Sequence, residues 1–262
     1  MVEQKKERVY VIFGATGGIG GALARRLLAN GAGGGDQLLL VARNEERLRA
    51  LTEDLRSGHP TASIDQRVLD ATDVAAVEAF LEEVATTYGA LDGVANCIGS
   101  ILLKPIHLTS EAEWASTIQI NLGSAFAVTR GAIKAMIRTG QIGGSIALVS
   151  SAAAQIGLAN HEAIAAAKGA IQGLVLSAAA SYASRGIRVN AVAPGLVRTP
   201  MTSRITGNEA SLKASTAMHA LGRIGEPEDV ASGLAWLLDP AQSWVTGQIL
   251  GIDGGLGSVR GR

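Results

Sequence analysis

Apolar and polar positions change period repeatedly along this chain, and each change marks an element. Val9–Phe13 (VYVIF) is an unbroken apolar run, as expected of a strand buried on both faces. Ile19, Leu23 and Leu27 recur every four residues and predict a helix over 19–30, ended by a glycine cluster at 31–35. Residues 38–42 read as a second strand, 45–57 as a charged helix and 64–69 as a third strand. Residues 73–88 read as a helix capped by Asp73, and 91–96 as a fourth strand. Residues 110–138 are helical with a break near Asn121. Then come a strand at 146–149, a long Ala-rich helix over 160–184, and a sixth strand at 187–192 that ends in Ala193-Pro194-Gly195. Residues 199–221 are polar and only weakly periodic, which suggests a mobile substrate lid. A helix at 226–238 carries Pro227 in its first turn, and 248–252 is the last strand, followed by Gly254-Gly255.

Strands alternate with helices throughout, with no Pro/Ser-rich linker and no repeat. This predicts an α/β fold: one domain over 1–262, built on a doubly wound parallel sheet of about seven strands, helices on both faces, preceded by a flexible 1–7. Ligands in such sheets bind beyond the carboxyl ends of the strands.

Composition removes several functions. The 23 basic and 23 acidic residues balance, so nothing marks the chain for nucleic acid or for an anionic membrane surface. No apolar run reads as long enough to span a bilayer, and MVEQKKER lacks the apolar core of a signal peptide. Together with the single cysteine, Cys97, this points to a reducing compartment: the cytoplasm, or an organelle stroma or matrix if a transit peptide has been removed. No metal site is expected.

Gly14, Gly18 and Gly20 stand between the first strand and the first helix. Glycines there permit a tight turn and bring backbone N–H groups close to a pyrophosphate at the helix N-terminus. The spacing is Gly-x-x-x-Gly-x-Gly, and at this point the chain resembles the short-chain dehydrogenase/reductase family, over about residues 8–257. The resemblance implies a Rossmann-type nucleotide-binding domain. Asp70, followed by Ala71, stands where family members contact adenine; Thr16 and Ile19 belong to the glycine loop. Asn96-Cys97-Ile98-Gly99 replaces the family's Asn-Asn-Ala-Gly. Pro194, Gly195, Val197 and Thr199 match the segment that holds the nicotinamide carboxamide.

Cofactor choice is read at the end of the second strand, where a carboxylate would hold the ribose 2′-OH of NAD and an Arg would accommodate a 2′-phosphate. Ala42 occupies the usual acidic position and Arg43 follows, which favours NADP(H) over NAD(H); Gly17 stands where some NADP-preferring members carry a second basic residue.

The family reduces carbonyls with Ser, Tyr and Lys, helped by an Asn on the preceding helix. The resemblance assigns these roles to Ser151, Lys168 and Asn121, with Lys168 also holding the nicotinamide ribose. The Tyr position, four residues before Lys168, is Ile164, which cannot donate a proton. Removing a general acid costs on the order of 10²–10⁴-fold in rate. Three readings stay open: an oxidoreductase with a substitute acid, a protein that binds NADP(H) without turnover as a sensor or assembly partner, and a changed reaction such as isomerisation or cyclisation. His161, set in the first helical turn if Asn160 caps the helix, and Lys168 itself are the candidate acids.

Ile101, Leu102, Ile156, Leu158, Ile164 and Met201, with Ser151 and lid residues around Ile205, are expected to wall a pocket for a small or medium apolar carbonyl or alcohol. The resemblance also implies a homodimer or homotetramer assembled through helices 110–138 and 160–184.

Overall fold

The computed structural model describes residues 7–32 and 35–259. Most of the expected flexible N-terminus and part of the glycine cluster therefore lie outside the described residues. Seven parallel strands form one sheet in the order β3-β2-β1-β4-β5-β6-β7. They are β1 Val9–Phe13, β2 Gln37–Ala42, β3 Ser63–Val68, β4 Gly93–Asn96, β5 Gly144–Val149, β6 Ile187–Pro194 and β7 Ile249–Ile252. The helices are α1 Gly18–Leu27, α2 Glu45–Gly58, α3 Val74–Tyr88, α4 Glu111–Ile118, α5 Ser124–Arg138, α6 Glu162–Tyr182, α7 Ser203–Thr206, α8 Glu209–Met218 and α9 Pro227–Leu238. This is the doubly wound α/β fold, and its strand order reverses between β1 and β4, which opens a crevice above their carboxyl ends.

The unbroken apolar run of β1 has its reason in the two faces of the sheet. Val9, Val11 and Phe13 join the core packed under α3, α5 and α6, while Tyr10 and Ile12 join the core packed under α1, α2 and α9. Local chemistry sets several boundaries. Asp73 caps α3, accepting from Ala76 N at 3.0 Å. β4 starts at Gly93, later than periodicity suggests, because the Gln141 side chain bonds both N–H and carbonyl of Leu91 in place of a neighbouring strand. β6 runs on to Pro194, paired with Ile252 of β7.

The expected break near Asn121 is a wide, π-helical turn over Gln119–Gly123 between α4 and α5. The span 199–221 is mostly helical: a 3₁₀ turn at Pro200–Thr202, then α7 and α8. The segment Glu162–Arg185 corrects one expectation. By length and hydropathy it could cross a bilayer; in the fold it buries one side against β6 and β5.

Candidate active site

The crevice at the strand reversal is a cleft of about 780 Å³. Its floor is the glycine loop. A Cβ on Gly20 would stand 2.3 Å from the Gly14 carbonyl oxygen, so the loop closes this tightly only without a side chain there. A Cβ on Gly18 would stand 2.9 Å from Thr199 Cγ2, so the start of α1 lies directly against the strand-β6 exit. This cradle of backbone N–H groups at a helix N-terminus fits the pyrophosphate of a dinucleotide.

Of the residues expected to hold cofactor, Gly14, Thr16, Gly18, Ile19, Arg43, Asp70, Gly99, Lys168, Pro194, Gly195, Val197 and Thr199 line the cleft. Three others sit behind it. Gly20 supports the loop. Ala71 is buried in the core beneath Asp70. Asn96 is buried, donating to Ser124 Oγ at 3.1 Å and accepting from Ile98 N at 3.1 Å. It therefore shapes the 97–99 turn from below.

At one end of the cleft stand Arg43, Asp70 and Thr72. Asp70 Oδ1 accepts from both the backbone N–H and the hydroxyl of Thr72 at 2.9 Å. Those bonds, with Arg43 Nη1 at 3.9 Å, hold its carboxyl below the usual range. Arg47, Asn44 and Thr72 also line this end. Sequence reasoning passed over them, although Arg47 follows Arg43 by one helical turn and that spacing was a usable signal.

At the other end stand Ser151, Ile164 and Lys168. Adjacent serines on an extended backbone face opposite ways. Ser150 is buried, donates to the Lys168 carbonyl at 2.9 Å and accepts from Gln172 at 3.1 Å, tying β5 to α6. Ser151 Oγ faces the cleft and accepts from Ala153 N at 3.1 Å, which leaves its O–H free to donate into the cleft. Lys168 Nζ donates to the Val149 carbonyl at 2.8 Å and retains two further N–H donors. Burial lowers its pKa to about 8. Nearby Cys97 is pushed up to about 12 by burial and stays a thiol. Ile164 is buried one turn before Lys168, with its side chain on the cleft wall.

Asn121 is fully buried behind this wall. It donates to Ser100 Oγ and to the Thr117 carbonyl, each at 2.9 Å, and accepts from Ser100 N at 3.2 Å. A Cβ on Gly99 would stand 3.1 Å from Asn121 Oδ1 and 3.4 Å from Lys168 Nζ, so the two polar groups flank one point. Asn121 fixes the 99–100 backbone at the cleft edge.

Three expectations are corrected here. His161 is not in the first turn of α6 but is its N-cap, and Asn160 adopts a left-handed φ of 64° instead of capping. The His161 ring turns back to the Ala159 carbonyl at 2.8 Å through Nδ1 and does not line the cleft. Ile156 and Leu158 do not line it either, because the 152–160 segment coils into a 3₁₀ turn and a loop beside it. Met201 and Ile101 do line it; Leu102 and Ile205 do not.

Comparison with known proteins agrees with this geometry. A family profile described as enoyl-(acyl carrier protein) reductase matches residues 14–257. A cis-4-hydroxycyclohexanecarboxylate dehydrogenase from Sinomonas cyclohexanicum is 37% identical, over 99% of this chain and 100% of the relative. A short-chain type dehydrogenase/reductase from Mycobacterium ulcerans superposes with a TM-score of 0.89 at 31% identity, over 98% of this chain and 92% of the other. An actinorhodin polyketide ketoreductase variant with NADPH superposes with a TM-score of 0.87 at 31% identity, covering 97% of this chain and 98% of the other. The glycine loop, the seven-stranded sheet and these full-length matches together show that the chain belongs to the short-chain dehydrogenase/reductase family of oxidoreductases.

Proposed function

We propose that this protein is an NADP(H)-dependent oxidoreductase that interconverts a small or medium apolar carbonyl compound and its alcohol, with Lys168 giving and taking the proton that an aromatic hydroxyl would otherwise handle. The observation that carries this reading is the shared position of Ser151 and Lys168. Both line the same end of the cleft, and both have donors left over.

The bound nicotinamide would supply or accept the hydride. The chain's own residues supply the rest. Ser151 donates its O–H to the substrate oxygen and orients it. As negative charge develops on that oxygen, Lys168 Nζ releases a proton towards it, directly or through a water. A group titrating near pH 8 is suited to this exchange at neutral pH. Val149 holds the ammonium in place through its carbonyl. Ile98, Ile101, Ile120, Ile164 and Met201 form an apolar wall, which favours an uncharged ring or chain over a polyanion. Thr202 bonds the Val197 carbonyl and so fastens the start of the 199–221 lid to the cofactor-side wall. Arg43 at the other end supports NADP(H) over NAD(H).

The test is turnover of a ketone panel with NADPH and of the matching alcohols with NADP⁺. Cyclohexanols are a sensible start, given the alicyclic substrate in the name of the Sinomonas relative. Cofactor binding by calorimetry with no turnover across the panel would overturn the redox reading and leave a cofactor-binding protein.

We also infer a homodimer or homotetramer formed through α5 and α6. Supporting this, Phe126 on α5 and Leu176 on α6 are large apolar side chains about half exposed.

A further inference from the structure

Among the described residues, Arg47 is the arginine whose guanidinium bonds the glycine loop. Asn44 caps α2 by accepting from Arg47 N at 2.8 Å, which places Arg47 in the first helical turn. Its Nη2 donates to the Thr16 carbonyl at 2.9 Å. The guanidinium therefore stands where the main cleft meets a smaller hollow of about 280 Å³. A guanidinium carries five N–H donors, and this contact uses one.

Gly17 makes the placement informative. A Cβ there would meet the Gly14 carbonyl oxygen at 3.2 Å, a tight contact with rigid backbone. Gly17 itself brings no side chain to the loop, and the cation at this spot comes from α2 instead. Arg43, at the end of β2, shares its charge with Asp70 at 3.9 Å. Arg47 bonds a neutral carbonyl and keeps its full charge for a ligand.

We propose that Arg47 is a specificity-determining residue for the cofactor: it grips the 2′-phosphate of NADP(H) from the loop side while Arg43 grips it from the strand side. The inference rests on the NADP(H) reading above. Arg is the residue suited to such bidentate recognition of phosphate.

The test measures binding of NADPH, NADH and 2′,5′-ADP by calorimetry to the wild type, Arg47→Ala, Arg47→Lys and Arg43→Ala, with circular dichroism to check folding. Arg47→Ala should weaken NADPH and 2′,5′-ADP by roughly 10- to 100-fold and leave NADH within about twofold. Arg47→Lys should recover part of the loss, since it keeps the charge but not the fork. Equal weakening of NADPH and NADH by Arg47→Ala would show that Arg47 only props the loop, and would overturn the proposal. Unchanged NADPH affinity would overturn it too. A wild type that binds NADH as tightly as NADPH would instead overturn the NADP(H) reading beneath it, which the wild-type measurement alone reveals.

Discussion

Ile164 and Lys168 lie four residues apart on one face of α6, both on the cleft wall, and the ammonium of Lys168 donates to the Val149 carbonyl at 2.8 Å. The pair leaves a buried cation beside an apolar side chain. Burial without an anion is what lowers the Lys168 pKa to about 8.

Restoring a phenol is the direct test of that arrangement. Ile164→Tyr places an acid where the cleft wall already faces Ser151 and Lys168. Ketone reduction should rise by on the order of 10²–10⁴-fold in kcat/KM. Steady-state kinetics with NADPH checks this; no gain would mean that the larger ring cannot be seated and the pocket is shaped for another use.

Lys168 also predicts a pH signature. Its folded pKa of about 8 lies below the ordinary 10.5, so the unfolded chain holds a proton that the folded chain releases between those values. Stability then rises with pH across that window, and below about pH 8 the cost of burying the charge is fully present. Thermal denaturation from pH 7 to 10.5 should show the wild type gaining on Lys168→Met as pH rises. For activity the sign is opposite in the two directions. Reduction needs protonated Lys168 and should fall above pH 8, while alcohol oxidation should rise.

The 199–221 segment is anchored through a histidine. His219 is buried; its Nε2 accepts from Leu196 N at 3.1 Å, and its Nδ1–H donates to the Ser215 carbonyl at 2.7 Å. It joins the end of α8 to the segment leaving β6. His219→Ala orphans the partly buried Leu196 N–H and opens a cavity, which should cost about 2–4 kcal/mol. Because Pro194, Gly195 and Val197 line the cofactor cleft, KM for NADPH should rise as well. Urea denaturation and cofactor titration measure the two effects.

Gly18 tests the cradle. Gly18→Ala pushes a methyl group against Thr199, whose N–H and hydroxyl are both tied to Thr202 Oγ1. Thr199 must move, and NADPH affinity should drop by about tenfold with the far-ultraviolet dichroism unchanged. A wild-type affinity would show that the wall yields freely.

Assembly is read by substitution at the exposed apolar face. Phe126→Glu on α5 should shift the particle towards monomer in light scattering after size exclusion, if α5 and α6 pack against a second copy. An unchanged mass would remove these helices as the contact.

The alternation of elements and the position of the glycine loop were legible from local pattern. A strand buried on both faces needs an unbroken apolar run, as in VYVIF, and the turn after it needs residues without side chains. Asp73 and the break at Asn121 could be read for the same reason: caps and wide turns depend on residues within one or two turns of themselves. The spacing of Ile164 and Lys168 on one helix also follows from chain geometry alone.

What local pattern could not settle was how irregular segments come back to the cleft. His161, Ile156 and Leu158 lie near Ser151 in sequence but away from the cleft, because Asn160 takes a left-handed turn and the Asn160 carbonyl accepts from Lys104 N at 2.8 Å, a contact across more than fifty residues. The spacing of Arg47 from Arg43 is local, but its placement on the glycine loop depends on Thr16, which lies on another element. The low pKa of Lys168 likewise depends on burial against β5, a property of packing and not of the segment that carries the lysine. Helices, strands and their caps are set by neighbours along the chain; the contents of the cleft are set by contacts between distant elements, which exist only once the sheet has assembled.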